Sequence, residues 1–406
     1  MDFSNNEKTR DYIQRLRGFM NEHVYPVEDS VYAEIHAANP DGNWRNWTVH
    51  PTIEKLKGLA KEQGLWNMFL PDEQLGQGLS CLEYAPLAEE TGKVLFAPEI
   101  FNCNAPDTGN MEVLYHFGNE YQKDKWLTPL LAGEIRSVFG MTEPDVASSD
   151  ATNMAATIED KGDDLLLNGK KWWTTGLGHP NARIMIFMGL SNPENDKHSQ
   201  HSMVLVPLDT PGIEIKRMLS AYGDYDAPFG HGEIHLNNVR VSKDNLLVGL
   251  GKGFAIAQGR LGPGRIHHCM RAIGAAEKAL ELAIKRGLSR VAFGRPLIEL
   301  GGNKERIAKA RMLIEQSRLL TLQAAWKIDH LGVKNAMVDI SAIKVVVPNM
   351  MQEVVDMALQ IFGGGGMCND YPIAKFAAGA RALRLADGPD EVHMAMVSRL
   401  ELKKYR

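Results

Sequence analysis

The sequence predicts a mainly α-helical protein with a small β domain at its centre. Three observations predict this class. Apolar residues recur at helical spacing in the first third of the 406-residue chain, short β-rich runs follow, and long Ala/Leu/Ile/Met-rich segments at helical spacing fill the rest. A chain of this length suits two or three packed units. We therefore expect an N-terminal helical domain over residues 1–136, a β-sandwich or barrel-like domain over 137–250, and a C-terminal four-helix bundle over 251–406.

The N-terminal third shows the helical spacing in Tyr12, Leu16, Phe19 and Met20. Its first residues mix charges into this pattern and lack the unbroken apolar core of a signal peptide. No stretch of the sequence is apolar for long enough to span a bilayer. We therefore expect a cytoplasmic protein.

Charge and cysteine content exclude several other classes. The chain has 45 Lys and Arg against 50 Asp and Glu, and the net charge of −5 gives no electrostatic reason to expect nucleic acid as a partner. The four cysteines are scattered, without the close pairing of a disulfide framework or a zinc site. We expect no metal site.

The middle of the chain is predicted to form strands, and the last part is predicted to form helices. Strand-like runs cover residues 165–167, 183–188 and 203–206, and the polar segment 191–201 between two of them is predicted to be an exposed hairpin loop. From Gly253 onward, the helical segments number four or five. They are broken at Pro296, Gly301-Gly302, Gly332, Gly363–Gly366 and Gly388-Pro389.

The first motif is FGMTEPDVASSD, residues 139–150, where a strand-like run ends in hydroxyl-bearing and small residues around a proline turn. Such residues let a planar ring and a phosphate approach the backbone. The alternative is a purely structural joint between a strand and a turn.

The second motif is GKKWWTTG, residues 169–176. Trp172 and Trp173 are predicted on opposite faces of a strand, so that one can lie in the core and the other against a ligand ring. Thr174 and Thr175 add hydrogen-bond donors beside them. The alternative is a tryptophan pair that fills the interface between the β domain and the bundle.

The third motif is SRVAFGRPL, residues 289–297, which ends a long helix and places Arg290 and Arg295 around Phe293. Positive charge at a helix C-terminus is stabilising without any ligand. The functional interpretation is an arginine that binds a pyrophosphate, because the planar guanidinium donates two parallel hydrogen bonds to phosphate oxygens.

The fourth motif is QIFGGGGM, residues 360–367, in which four glycines close a long helix. This is more flexibility than a helix C-cap requires, so either another group approaches this backbone closely or the segment is a plain loop. Gln360 offers a side-chain amide one turn earlier.

The fifth motif is RLADGPDEVH, residues 384–393, a short break between two predicted helices. Asp390 and Glu391 begin the second helix, where carboxylates suit the helix dipole. Asp387 lies outside that explanation and is the candidate functional carboxylate, with a helix N-cap as the alternative.

Taken together, in their order and spacing, the five segments resemble the acyl-CoA dehydrogenase family over essentially the whole chain. The combination of MTEPDVASSDATN, the four glycines and LADGPDEVH is most similar to the subgroup that contains the dehydrogenase domains of human members ten and eleven. The resemblance implies that FAD is bound between the three domains and that the substrate is an acyl-CoA of fatty acid metabolism and β-oxidation. It also implies an electron-transfer flavoprotein as acceptor and a homo-oligomer, usually a tetramer built as a dimer of dimers.

The resemblance also assigns roles to individual residues of this sequence. The substrate-side residues are Ser149 near the acyl-CoA and Arg265 near its thioester end. One extra residue between Pro144 and Ser148-Ser149 leaves the roles of the two serines interchangeable. Arg290, Gln360 and Gly364 would reach the FAD pyrophosphate from a neighbouring subunit. The cofactor-binding residues implied are Phe139, Met141, Thr142, Ser148, Trp173, Thr174, Thr175, Arg290, Gln360, Gly364 and Glu391.

Most of the family has Glu-Gly where this chain has Asp387-Gly388, and members with the base just before the arginine have it where this chain has Gly264. The resemblance therefore implies Asp387 as the base that removes the α proton while flavin N5 takes a hydride from the β carbon, giving a trans-2-enoyl-CoA. The Asp387 backbone N–H and a ribityl hydroxyl would polarise the thioester oxygen.

Two alternatives remain open: a flavin oxidase similar to the nitroalkane oxidases, which use Asp as base, and a catalytically inactive binding protein.

Overall fold

The computed structural model describes residues 3–406, except for the side chains of residues 261–263. The chain forms two compact units. The first comprises the chain up to Ser30, Glu62–Ile100 and Gly262–Arg406, and the second comprises Val31–Lys61 and Phe101–Leu261. Across the described residues, no helix is both long and apolar enough to cross a membrane. The predicted order of helices, strands and helices along the chain is confirmed.

The first third of the chain is helical, as predicted. Polar caps define two of its helix starts: Asn6 accepts the amide of Thr9, and Ser80 forms a reciprocal capping box with Glu83. The helices are α1 (Glu7–Phe19), α2 (Glu28–Ala38), α3 (Pro51–Glu62), α4 (Cys81–Gly92), α5 (Ala97–Ile100), α6 (Asp107–Phe117), α7 (Glu120–Gln122) and α8 (Thr128–Ala132).

The central segment forms one seven-stranded sheet in the second unit, in the order β1-β4-β2-β3-β7-β6 with β5 paired to β4. Strands β4 and β5 are antiparallel, so segment 191–201 joins neighbouring strands as predicted. Alternate side chains such as Leu165 and Leu167 are buried, and they build the core with Val138, Ile234 and Leu236. The strands are β1 (Arg136–Gly140), β2 (Thr157–Asp160), β3 (Asp164–Thr175), β4 (Ala182–Leu190), β5 (His201–Pro207), β6 (Ile213–Leu219) and β7 (His231–Ser242).

The last part of the chain returns to helices, and the breaks fall at the predicted glycines and prolines. Helix α9 begins at Gly253, where the sequence predicts a helix start, and a short hairpin follows it. Gly332 ends one helix and the four-glycine run ends the next. The elements are α9 (Gly253–Ser289), β8 (Val291–Ala292), β9 (Arg295–Pro296), α10 (Asn303–Leu331), α11 (Met337–Phe362), α12 (Ile373–Leu383) and α13 (Asp390–Leu402).

Candidate active site

Asp387 lies in the break between α12 and α13, with a backbone φ of 55°. This left-handed conformation is uncommon for a residue with a side chain, and such residues cluster at functional sites. Helix α13 begins at Asp390, and its N-cap position is Pro389, without a side-chain cap among the described residues. The N-cap alternative for Asp387 is therefore wrong.

Two side chains fix the backbone of Asp387. Arg265 Nη2 and His393 Nε2 each lie 3.2 Å from the Asp387 carbonyl oxygen. The next residue, Gly388, has a φ of 100°, and a Cβ there would lie 2.9 Å from His393 Nε2. The structure thus brings together Arg265 and Asp387, two residues to which the resemblance assigns roles, and the break requires glycine after Asp387.

The buried Lys344 of α11 ties the same break to the bundle. Its ammonium donates hydrogen bonds to the carbonyl of Leu383, at the end of α12, and to the carbonyl of Gly388 at 3.4 Å. Beyond the break, Asp390 accepts from Arg384 Nε at 2.8 Å. The buried Lys344 and the half-buried Arg384 thus hold the break on its two sides, which preorganises the residues between them.

Charged and titratable groups surround the Asp387 carboxylate. His268 Nδ1 lies 3.4 Å from Asp387 Oδ2, and the Asp387 side chain is 36% exposed in this chain. Desolvation by burial lowers the pKa of His393 to about 4 and also lowers the pKa of Lys344. At neutral pH the imidazole of His393 is therefore uncharged.

In the second unit, a buried ion pair holds the TEP segment, Thr142-Glu143-Pro144, which follows β1. Glu143 Oε1 lies 2.7 Å from Lys171 Nζ, and the same carboxylate accepts the amides of Ala155 and Ala156 at 2.8 and 3.0 Å. Burial lowers the pKa of Lys171 to about 8, although Glu143 opposes that shift. The segment after β1 is therefore fixed at both ends by one carboxylate.

The two serines of this segment differ in environment. Ser148 Oγ accepts the Glu143 amide at 2.8 Å, and the hydroxyl lies close to the carbonyl oxygens of Glu143 and Val146. Ser149 is exposed. The Ser148 side chain thus shapes the loop itself, and Ser149 is the serine with its side chain at the surface.

Strand β3 carries the tryptophan pair. The register of β3 against β7 shifts between Lys171 and Thr174, and within this irregularity Trp173 has a φ of 50° and is 42% exposed. Trp172 is half-buried, so neither tryptophan lies in the core as one was expected to. A β-bulge redirects side chains, and strict strand alternation cannot predict it.

Hydroxyl groups flank Trp173. Thr175 Oγ1 lies 3.0 Å from His231 Nδ1, and the buried Thr174 Oγ1 has no hydrogen-bond partner within the described part of the chain. The carbonyl of Thr142 accepts the Trp172 amide at 3.0 Å, which joins the TEP segment to this strand. An exposed aromatic ring in a strained backbone, beside hydroxyl donors, fits a flavin ring.

The residues expected to bind pyrophosphate lie on the surface of the first unit. Arg290, Gln360 and Gly364 are exposed, and a Cβ at Gly364 would meet nothing within 4 Å. Glu391, which the resemblance assigns to the cofactor without a particular contact, is exposed as well. Phe293 is 95% exposed at the hairpin tip, near the exposed side chains of Leu288 and Val291. This apolar surface with arginines at its edge is typical of a contact with another chain.

Three family models match successive parts of the chain. The N-terminal, middle and C-terminal domains of acyl-CoA dehydrogenase match residues 6–134, 138–239 and 251–401. The chain belongs to the acyl-CoA dehydrogenase family, whose members are flavoprotein oxidoreductases. The resemblance drawn from the five motifs is confirmed.

Individual relatives agree with this placement. Acyl-CoA dehydrogenase family member 10 of Mus musculus is 51% identical over 97% of this chain, which spans 37% of that relative. Probable acyl-CoA dehydrogenase FadE2 of Mycobacterium tuberculosis is 51% identical over 100% of this chain and 98% of its own length. The solved structure of a putative acyl-CoA dehydrogenase from Mycobacterium abscessus is 56% identical, with a TM-score of 0.96 over 99% of this chain and 100% of its own.

Sequence reasoning missed several residues of these sites. His268 follows Arg265 by three positions on α9, and this helical spacing could have predicted that both side chains lie on the same face of the helix. Glu143 and Lys171 both lie inside quoted motifs, but only the fold pairs them. His393 ends the fifth motif, but its contact with the Asp387 carbonyl arises only in the fold. Lys344 lies on α11, outside the five motifs.

Proposed function

We propose that this protein catalyses FAD-dependent α,β-dehydrogenation of an acyl-CoA thioester to a trans-2-enoyl-CoA, with Asp387 as the base. One observation carries the proposal: the carboxylate stands in a strained break, and Arg265 and His393 hold its backbone. The family supports an acyl-CoA as the substrate class.

The residues of the chain have distinct tasks in this reaction. Asp387 takes the α proton of the thioester, a role that needs a positioned carboxylate within hydrogen-bond reach of that proton. The Asp387 backbone N–H polarises the thioester oxygen and stabilises the charge that develops there. Arg265 contacts the Asp387 carbonyl and keeps the break in place. Bound FAD supplies the hydride acceptor for the β carbon.

The cofactor would be held by two groups of residues. Trp173 and Thr175 would contact the flavin ring, together with Thr174, Phe139, Met141 and Thr142, and Ser148 or Ser149 would lie near its phosphates or the acyl-CoA. Arg290, Gln360 and Gly364 would come from a second copy of the chain, because their exposed positions suit contact with a partner. We therefore also propose a homo-oligomer, a dimer of dimers. Glu391 would be a further cofactor-binding residue.

We further propose a cytoplasmic enzyme of fatty acid β-oxidation that passes its electrons to an electron-transfer flavoprotein. The family resemblance supports this acceptor, and such a flavoprotein would have to reach the reduced cofactor at the protein surface. Steady-state turnover with an isolated electron-transfer flavoprotein as the electron acceptor measures this step directly.

The test of the proposed function is anaerobic mixing of the purified holoprotein with acyl-CoAs of increasing chain length, following flavin absorbance. Bleaching by some acyl-CoA supports the proposal and gives a first substrate range. Bleaching by a nitroalkane alone, with rapid oxygen consumption in air, would replace it by the oxidase alternative. Purified protein that takes up no FAD would favour the inactive binding protein.

A further inference from the structure

His268 contacts the carboxylate of the proposed base. It lies on α9 three residues after Arg265, on the same face of the helix. Arg265 contacts the Asp387 carbonyl oxygen, and His268 Nδ1 lies 3.4 Å from Asp387 Oδ2. One face of α9 therefore meets both the backbone and the side chain of Asp387.

The surroundings of His268 keep its ring uncharged. Desolvation by burial lowers the pKa of His268 well below its usual value, and Lys344 of α11 and Arg271 and Arg265 of its own helix lower it further. Asp387 is the group that opposes this shift. A neutral imidazole carries one N–H and one acceptor nitrogen.

The contacts select which nitrogen carries the proton. His268 Nε2 is buried and has no hydrogen-bond partner in the described chain. A proton on Nε2 would bury an unpaired donor and would leave the Nδ1 lone pair facing the carboxylate oxygen. A proton on Nδ1 instead places the donor nitrogen 3.4 Å from Asp387 Oδ2.

We propose that His268 is a positioning residue whose neutral Nδ1–H donates to Oδ2 of Asp387 and orients the carboxylate for proton abstraction. This inference rests on the proposed function. With Oδ2 held, Oδ1 is the oxygen presented to the substrate.

A neutral donor suits this task better than a cation. It restricts the carboxylate to one rotamer without cancelling its charge, whereas a protonated imidazole would stabilise the carboxylate strongly and weaken it as a base. The 3.4 Å separation is long for a hydrogen bond, and contacts of this kind often shorten only when substrate is bound.

His267 provides a matched control on the same helix. Its ring lies against Tyr84, with a centroid distance of 4.9 Å in a T-shaped arrangement, and burial lowers the pKa of His267 to about 3. Successive residues of a helix point about 100° apart. The two histidines are therefore equally embedded in α9 but have different neighbours.

The experiment compares His268→Leu, His268→Asn and His267→Leu in the holoprotein. The rate of flavin reduction should fall about 10- to 100-fold in H268L, and the acidic limb of its pH profile should move to higher pH, because the carboxylate loses a donor. H268N places an amide N–H near the former Nδ1 and should restore most of the rate. H267L should keep both the rate and the limb, and an H268L profile equal to wild type would overturn the proposal.

An infrared titration separates this inference from the proposed function. The protonated-carboxyl band that Asp387→Asn removes should titrate at higher pH in H268L than in wild type, and this readout needs no substrate. If no acyl-CoA bleaches wild-type protein but the band still moves, the proposed function fails and the His268 contact stands. Bleaching of wild type with an unmoved band would overturn the contact alone.

Discussion

Breaking the buried pair between Glu143 and Lys171 should release the segment that follows β1. In Lys171→Met the Glu143 carboxylate remains, 5% exposed, without its 2.7 Å partner. Removing one partner of a buried ion pair typically costs about 3–5 kcal/mol, because the other charge stays buried and uncompensated. The amides of Ala155 and Ala156 bond that carboxylate, so their protection reports on it.

Amide hydrogen exchange measures this change at the segment itself. A cost of about 3 kcal/mol corresponds to a fall in protection on the order of 10²-fold when the amides exchange through local opening. Lys170→Met is the matched control, because its pair with Asp145 is exposed on both sides and such pairs contribute about 0–1 kcal/mol. Equal exchange of Ala155 and Ala156 in K171M and wild type would refute the reasoning.

Three further predictions concern strain, anchoring and pH. Trp173→Gly should change the free energy of unfolding by less than about 1 kcal/mol, because relief of the left-handed backbone strain offsets the lost side-chain contacts. The purified variant should nevertheless retain less FAD than wild type. Unchanged FAD retention would argue against a contact between Trp173 and the flavin. Lys344→Met should slow anaerobic flavin reduction by about 10-fold or more, because the carbonyls of Leu383 and Gly388 lose the donor that holds the break around Asp387. A wild-type rate of flavin reduction would contradict this prediction. Burial lowers the pKa of His267 to about 3, so near pH 6.5 this histidine takes up a proton only when the chain unfolds, and the free energy of unfolding should fall as the pH drops below about 6.5. In thermal melts, His267→Phe should reduce the dependence of the free energy of unfolding on pH by up to about 1.4 kcal/mol per pH unit. An unchanged pH dependence would exclude this effect.

The sequence predicts the fold well where a local pattern specifies it. Helical spacing and the glycine and proline breaks place α9 and α11, because periodicity and chain reversal are properties of neighbouring residues. Asp387 stands out for a similar local reason, since it lies before the first turn of α13 and outside the helix-dipole explanation.

The rest of the site depends on contacts between residues distant in sequence. The pair of Glu143 with Lys171 and the contact of His268 with Asp387 arise only when strands and helices pack. The half-buried Trp172, where alternation along the strand lets one tryptophan lie in the core, has another cause. The register shift in β3 breaks the two-residue alternation on which the prediction rested.

The most direct test of Asp387 as the base is single-turnover flavin reduction, without oxygen, by the acyl-CoA that bleaches wild type best. Asp387→Asn should lower the rate on the order of 10²- to 10⁴-fold while FAD remains bound, because the amide cannot take the α proton. Asp370→Asn, an exposed carboxylate change, should keep the wild-type rate. A D387N rate within about threefold of wild type would contradict the assignment of Asp387 as the base.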